Sequence, residues 1–313
     1  MTKAKPQGKK PSVVIVGPGR LGLALAFALR ASGYSILAVV SRRIDHARKA
    51  ARLFKQSEKL VRPLALAGFA QMPSSDLILI TTPDDAIEET ALRLAAAARG
   101  ASGKPRRTTV LHTSGALSSE VLAPLAETGF DTGSIHPLIS VSEPLAGAKT
   151  LHGAFFCLEG DKAALKRARK IVTDLSGTSF SIQSEYKALY HAAAVMASPH
   201  LVALFDLAIE ILVACGLSQK SAKEVLLPLL ESTVNNLKVT DARRALTGTF
   251  ARGDLATVKR HLAALSAREF AEALEVYKLL GLRSIRLARR NGLDEKLLRQ
   301  IRQLLASSEA STK

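Results

Sequence analysis

Residues 12–31, SVVIVGPGRLGLALAFALRA, limit the fold more than any other stretch. A short apolar run stops at a glycine, and an apolar stretch with helical spacing follows at once, which reads as strand, tight turn and helix. The turn, GPGRLG at 17–22, fits G-x-G-x-x-G. Gly17 permits the tight turn, Gly19 lets backbone approach a pyrophosphate, and Gly22 allows the helix to pack closely on the strand. Pro18, Arg20 and Leu21 complete the turn and open the helix, whose free N–H groups and positive dipole end suit phosphates. Residues 17–22 are therefore the candidate dinucleotide-phosphate site.

The same alternation continues along the chain. Strand candidates are 12–16, 35–40, 76–81, 108–112, 132–136, 154–159 and 178–183, several almost wholly apolar, as expected of strands covered on both faces. Helical runs lie between them, including LGLALAFALRA, DHARKAARLFK and KAALKRARKIVTDL. This βαβ order predicts an α/β doubly wound sheet. From about Ser184 strand signals stop, and helices are expected at 185–214, 219–237, 254–264, 268–290 and 294–306. Pro199 and Pro228 fall inside two of these and should kink or split them. The expected plan is a basic disordered tail (1–11), a dinucleotide-binding sheet domain (12–183) and an all-α domain (184–313).

The choice of dinucleotide is read about 20 residues past the turn, where an acid usually bonds the ribose hydroxyls of NAD. This chain has Ser41, Arg42 and Arg43 there, and no acid before Asp45. A hydroxyl and two guanidiniums suit a ribose phosphate, so NADP(H) is the expected cofactor. Other strands run into polar loops at the same edge. Thr82-Pro83 could wall the nicotinamide and ribose, HTSGALSS brings Ser114 and Gly115, and HPLISVSEP brings His136. For His112 or His136 taken alone, a hydrogen-bonded structural histidine is as good a reading as a catalytic one.

Farther on, SEYKALYHAAAVMASPH sets Lys187 and His191 at i and i+4 on one helical face, with Tyr190 adjacent. A lysine beside a nicotinamide could bond a carbonyl oxygen and protonate it as hydride arrives. The alternative is a snorkelling surface lysine. LTGTFARGD (246–254) reads as a loop whose Asp254 caps the next helix. Its Thr247, Gly248 and Arg252, with Asn235 upstream, are candidates for a substrate carboxylate.

The net charge of +17 is spread over KAKPQGKK, KRARK, RSIRLARR and KLLRQIR, and reads mainly as solvated helix faces. With no Trp and 4% aromatic residues, stacking platforms for single-stranded nucleic acid are not expected. Cys157 and Cys215 lie in apolar settings without metal-ligand spacing. The expectation is a cytoplasmic protein without a metal, nucleic-acid partner or membrane span, acting on a small anionic substrate.

GPGRLG, TTPDDAI, HTSGAL, GSIHPL, YKALYHAAAVMASPHLVAL and TGTFARGD occur here in the order seen in a family of NADP-dependent oxidoreductases. That family joins a Rossmann-like domain to a C-terminal helical domain of unknown function, and the resemblance covers nearly all of the chain after the tail. The chain is also similar to pyrroline-5-carboxylate reductase, ketopantoate reductase and the β-hydroxyacid dehydrogenases. The resemblance implies a 6-phosphogluconate-dehydrogenase-like helical domain and a homodimer. Relatives in the wider group use a lysine followed four residues later by an asparagine. Lys187 matches the lysine, but His191 stands in the asparagine's place, and Thr249 stands where a proline is expected. The implied activity is hydride transfer from NADPH to the carbonyl of a small 2-keto acid, ketopantoate first. Lys187 would protonate, His136 or His191 assist, and Ser114 orient the substrate. An imine such as pyrroline-5-carboxylate is the second reading. A non-catalytic NADP(H) sensor or scaffold is the third, which Lys187 facing solvent would favour.

Overall fold

The computed structural model describes residues 10–54, 60–100, 107–267 and 270–307. The chain divides into two compact units between Ser198 and Pro199.

The first unit is built on eight strands: β1 Ser12–Val16, β2 Ser35–Ser41, β3 Arg62–Ala65, β4 Leu77–Ile80, β5 Thr109–His112, β6 Asp131–Pro137, β7 Phe155–Gly160 and β8 Thr178–Ser181. They form one sheet in the order β3-β2-β1-β4-β5-β6-β7-β8. The strands from β3 across to β6 run parallel. β7 runs antiparallel to β6, with His136 opposite Cys157, and β8 runs parallel to β7. The helices are α1 Arg20–Ala31, α2 Ile44–Arg52, α3 Ile87–Arg99, α4 Ala123–Ala126, α5 Pro144–Thr150, α6 Lys162–Asp174 and α7 Lys187–Ala197.

Side chains alternate across the strands, so one apolar run feeds two cores. Val13 and Ile15 join α1 and α6 on one face, while Val14 and Val16 join α3 on the other. Each buried Val, Ile or Leu there contributes about 1.5–3 kcal/mol relative to exposure. β1, β4 and β5 are buried almost end to end, and their carboxyl ends therefore form a rigid edge.

The second unit holds α8 Pro199–Ala214, α9 Gln219–Val239, α10 Ala242–Ala245, α11 Gly248–Arg252, α12 Leu255–Ser266, α13 Ala271–Arg290 and α14 Glu295–Ser307. Val258, Leu262, Ile285, Leu298, Ile301 and Leu305 form its core.

Four expectations change. β3, with Pro63, had no counterpart in the sequence reading; among the described residues it pairs only with β2, and an edge position tolerates a residue that cannot donate. The helix expected at 185–214 is split at Ser198 (φ −129°, ψ −76°), as Pro199 led one to expect, because a residue before proline is driven out of the helical region. Pro228, by contrast, lies inside an unbroken α9. The expected domain boundary at 183/184 differs from the observed one because α7 is held to the sheet by its own side chains. The expected tail also ends sooner: residues 1–9 lie outside the described residues, but Lys10 pairs with Asp174 at 2.7 Å.

Candidate functional site

β1 ends in the turn that the glycine pattern requires. Gly17 has φ +93°, and its amide donates to the Val40 carbonyl at 2.8 Å. Thr81, just past β4, donates its hydroxyl to the Gly17 carbonyl at 2.6 Å. A Cβ on Gly22 would strike that same carbonyl and the Thr81 hydroxyl, so this position packs helix on strand. A Cβ on Gly19 would meet nothing within 4 Å, so backbone there faces open space. No side chain caps the first turn of α1, and that turn carries no acid. The amides of Arg20 and Leu21 belong to this uncapped turn.

Above the turn lies a groove of about 750 Å³. Gly17, Pro18 and Gly19 form its floor, Ser41, Arg42 and Arg43 one wall, and Thr82 and Pro83 the other. Arg20, Leu21 and Gly22 do not line it. Several groove residues escaped the sequence reading, among them His46 and Lys49 on α2 and the carboxylates Asp85 and Glu89. The nearest acid after β2, Asp45, pairs with Arg48 at 3.3 Å. The Thr82 hydroxyl is buried with no hydrogen-bond partner. A groove with open backbone, an unengaged hydroxyl and cations on one wall fits a dinucleotide bearing an additional phosphate.

Beside the groove the exits of β4, β5 and β6 are joined by polar contacts. The Ser114 hydroxyl donates to Asp84 at 2.8 Å and accepts from the Ala116 and Leu117 amides at 3.1 and 2.9 Å. That hydroxyl is thus committed to shaping the turn, and it is the Ser114 carbonyl that faces α7. Lys187, 1% exposed, donates its ammonium to that carbonyl at 3.1 Å and to the Ser134 hydroxyl at 3.2 Å. Burial pulls the Lys187 amine below its ordinary range, against the opposing influence of Cys157, Glu159 and Asp84.

His112 is 0% exposed and saturated: its Nδ1 accepts from the Ser114 amide at 3.2 Å, which leaves Nε2–H to donate to the Ser118 carbonyl at 3.2 Å. It is a structural histidine, its pKa lowered to about 3 by burial and then by Lys187. His136 is half-buried, with Nδ1 2.7 Å from the Tyr190 hydroxyl and its ring edge-on to both Tyr190 and His191. Burial, then Lys187 and His191, lower its pKa to about 4. Burial pushes the Tyr190 phenol up, and Cys157 adds to this. The Nδ1 of His191 is buried without a partner, against Gly115.

Lys187, His191, His136, Ser114 and Gly115 therefore converge, and the structure adds Asp84, Ser134 and Tyr190 to them. Ser134 was legible in principle, since it shares a strand face with His136 at i and i+2. Asn235, Thr247, Gly248 and Arg252 belong to the second unit. There Asn235 accepts from Lys238 at 3.1 Å. The expected loop at 246–254 contains α11, opened by Gly248 (φ +79°) and closed by Gly253 (φ +67°). Asp254 caps α12 by accepting from the Thr257 amide at 3.0 Å.

Residues 2–137 match the Rossmann-like domain family, and residues 154–284 match DUF2520, a domain of unknown function. The DUF2520 match begins at β7, so it takes in α7 with Lys187, Tyr190 and His191. Among solved structures, a Thermotoga maritima protein is 27% identical, with a TM-score of 0.60, over 93% of this chain and 98% of that one. A Bacteroides fragilis protein classed as an NADP oxidoreductase is 23% identical, with a TM-score of 0.68, over 88% and 98%. An imine reductase from Myxococcus stipitatus, solved with NADP+, is 19% identical, with a TM-score of 0.58, over 93% and 99%. The last two are likenesses of fold. No curated protein matches the chain.

Proposed function

We propose that the chain is an NADP(H)-dependent oxidoreductase that reduces the carbonyl of a small 2-keto acid. The observation that carries this reading is the groove over the Gly17–Gly19 turn, with Ser41, Arg42, Arg43, His46 and Lys49 around it. The nicotinamide cofactor supplies hydride when bound. Backbone at Gly19 and the first turn of α1 would hold the pyrophosphate, Arg42 and Arg43 the ribose phosphate, and Thr82 the nicotinamide half. Of the fold neighbours, one is solved with NADP+ bound and another is classed as an NADP oxidoreductase.

Catalysis then asks this chain to orient a carbonyl at the carboxyl edge and to deliver one proton to its oxygen. The Ser114–Asp84 bond fixes the β4 and β5 exits there. Ketopantoate is the leading substrate. Fold neighbours that include imine and pyrroline-5-carboxylate reductases make a C=N carbon the second reading. A solvent-facing Lys187 would favour the sensor reading, and its side chain faces inward instead. In the second unit, Val202, Val225, Leu229, Leu237 and Val239 are exposed along α8 and α9. A second copy of the chain is the cover proposed for these helices. The deciding experiment compares NADPH and NADH binding by fluorescence, then follows NADPH absorbance with ketopantoate and pyrroline-5-carboxylate. Equal binding of the two cofactors would sink the NADP reading, and tight NADPH binding without turnover of either acid would sink the reductase reading.

A further inference from the structure

We infer that the proton given to the reduced atom comes from Tyr190, held and resupplied by His136, and that Lys187 is the clamp positioning this pair. The inference rests on the reductase reading above.

Two periodicities meet between β6 and α7. Ser134 and His136, two apart, share one face of the strand. Lys187 and Tyr190, three apart, share one face of the helix. The result is a ladder of two rungs: Lys187 to Ser134 at 3.2 Å, and Tyr190 to His136 at 2.7 Å.

The inner rung is sealed, for Ser134 and Lys187 are both buried and the ammonium also donates to the Ser114 carbonyl at 3.1 Å. Carboxylates secure the partners from behind: Asp84 accepts from the Ser114 hydroxyl at 2.8 Å and Glu159 from the Ser134 hydroxyl at 3.4 Å. Two of the three ammonium N–H bonds are thereby engaged, and at 1% exposure the residue is closed off from the open side of the cluster. The outer rung is only half-buried, and it stands beside the Ser114–Gly115 turn. Gly115 must lack a side chain, since a Cβ would lie 2.9 Å from Cε1 and Nε2 of His136 and would collide with His191.

His136, neutral near pH 7, can donate Nδ1–H to the phenol oxygen, and the Tyr190 O–H then has to turn only from the Cys157 sulfur to reach a substrate. As the substrate carbon receives hydride, the π pair moves to oxygen, the Tyr190 O–H bond breaks, and its proton joins that oxygen. The phenolate takes the Nδ1 proton of His136 while Nε2 takes one from solvent. One hydride and one proton are consumed, and after the imidazole N–H shifts back the residues end as they began. The His191 ring, whose buried Nδ1 has no partner, lies edge-on to His136 with ring centres 5.5 Å apart.

The test follows NADPH oxidation with ketopantoate, then pyrroline-5-carboxylate, with the NADPH Kd measured alongside. Tyr190→Phe should hold the Kd within about two-fold and lower kcat by about 10²–10⁴. His136→Asn should lower kcat and move the pH profile. Lys187→Met should melt at lower temperature and keep the wild-type pH profile; if it does not fold, Ser134→Ala, which removes only the inner acceptor, serves in its place. Wild-type kcat in Tyr190→Phe, or loss of the profile's limb in the inner-rung variant alone, would overturn the inference while leaving the reductase reading intact. A wild type that binds NADPH and oxidises neither acid overturns the reading and the inference together.

Discussion

Two glycines three positions apart show how residues of one motif can serve different ends. Gly22→Ala drives a methyl into the Gly17 carbonyl and the Thr81 hydroxyl. Its expected outcome is a marked loss of thermal stability, on the order of 1–3 kcal/mol, as for other overpacked sites. Gly19→Ala has open space and an ordinary φ of −77°. Its melting temperature should stay close to wild type while NADPH binding weakens at least about ten-fold, because the methyl occupies the backbone's approach to the pyrophosphate. Buried histidines set a pH dependence whose sign is fixed. His112 and His136 are held neutral when folded, to about 3 and about 4, whereas the unfolded chain takes up their protons near 6.5. Their stabilisation is complete above pH 6.5 and drains away as the pH falls toward 4 and then 3. A melting temperature that drops across this window, and drops less in His112→Asn, is the expected calorimetric result. The roles of these residues were only partly legible. His112 and His136 look alike in sequence, and only the bonds made by each ring separate a saturated histidine from one placed at the edge of the cluster. Tyr190 was noticed beside the Lys187–His191 face, but its partner lies 54 residues earlier, and a single sequence carries no signal of that pairing.

Secondary structure was most legible where the pattern was long or wholly apolar. β1, β2, α1 and α6 lie where their periodicity places them. Four-residue β3 was not, because Pro63 argues against a strand unless its edge position is known. α11 was hidden because five residues are too few to show a helical period. The prolines of the helical half diverge for a local reason: Pro199 starts α8, where a missing N–H costs nothing, while Pro228 sits mid-helix. Pro228→Ala should accordingly raise the melting temperature, a result that circular dichroism can check. At the end of β2, Arg42→Ala with Arg43→Ala should weaken NADPH binding by about 10–100-fold and leave NADH binding nearly unchanged, since a bidentate phosphate contact is worth a few kcal/mol. α2 adds His46 and Lys49 to that subsite. The sequence already held both residues, but showed no reason to aim that helical face at the groove.

For the whole molecule, the order of sheet then helices was legible, while the placing of α7 with the sheet was not. Within Ser184–Ala214 the most apolar 18-residue window has a mean hydropathy of 1.7 with 6% of it buried, so by length and composition the segment could cross a membrane. Its first half is pinned by Lys187, and the apolar helices that follow are the ones proposed to be covered by a second copy. Sedimentation should give twice the chain mass, and Leu229→Arg with Leu237→Arg should give monomers. A wild-type monomer would refute the dimer, and partition into lipid vesicles would favour the membrane instead. The reversal of β7 and β8 carries a wider consequence. Because β8 runs back from the level of Pro137 to that of Ile135, the chain enters α7 below the carboxyl edge and climbs toward it alongside β6. The meshing of the two elements is therefore set by chain length between Ser181 and Lys187, as the teeth of a gear are set by its first tooth. A single residue inserted there would turn the helix by about 100°, unseating both rungs at once while leaving every side chain of the cluster present. Among relatives of this chain, length in that short connection should be guarded more strictly than the identity of its residues.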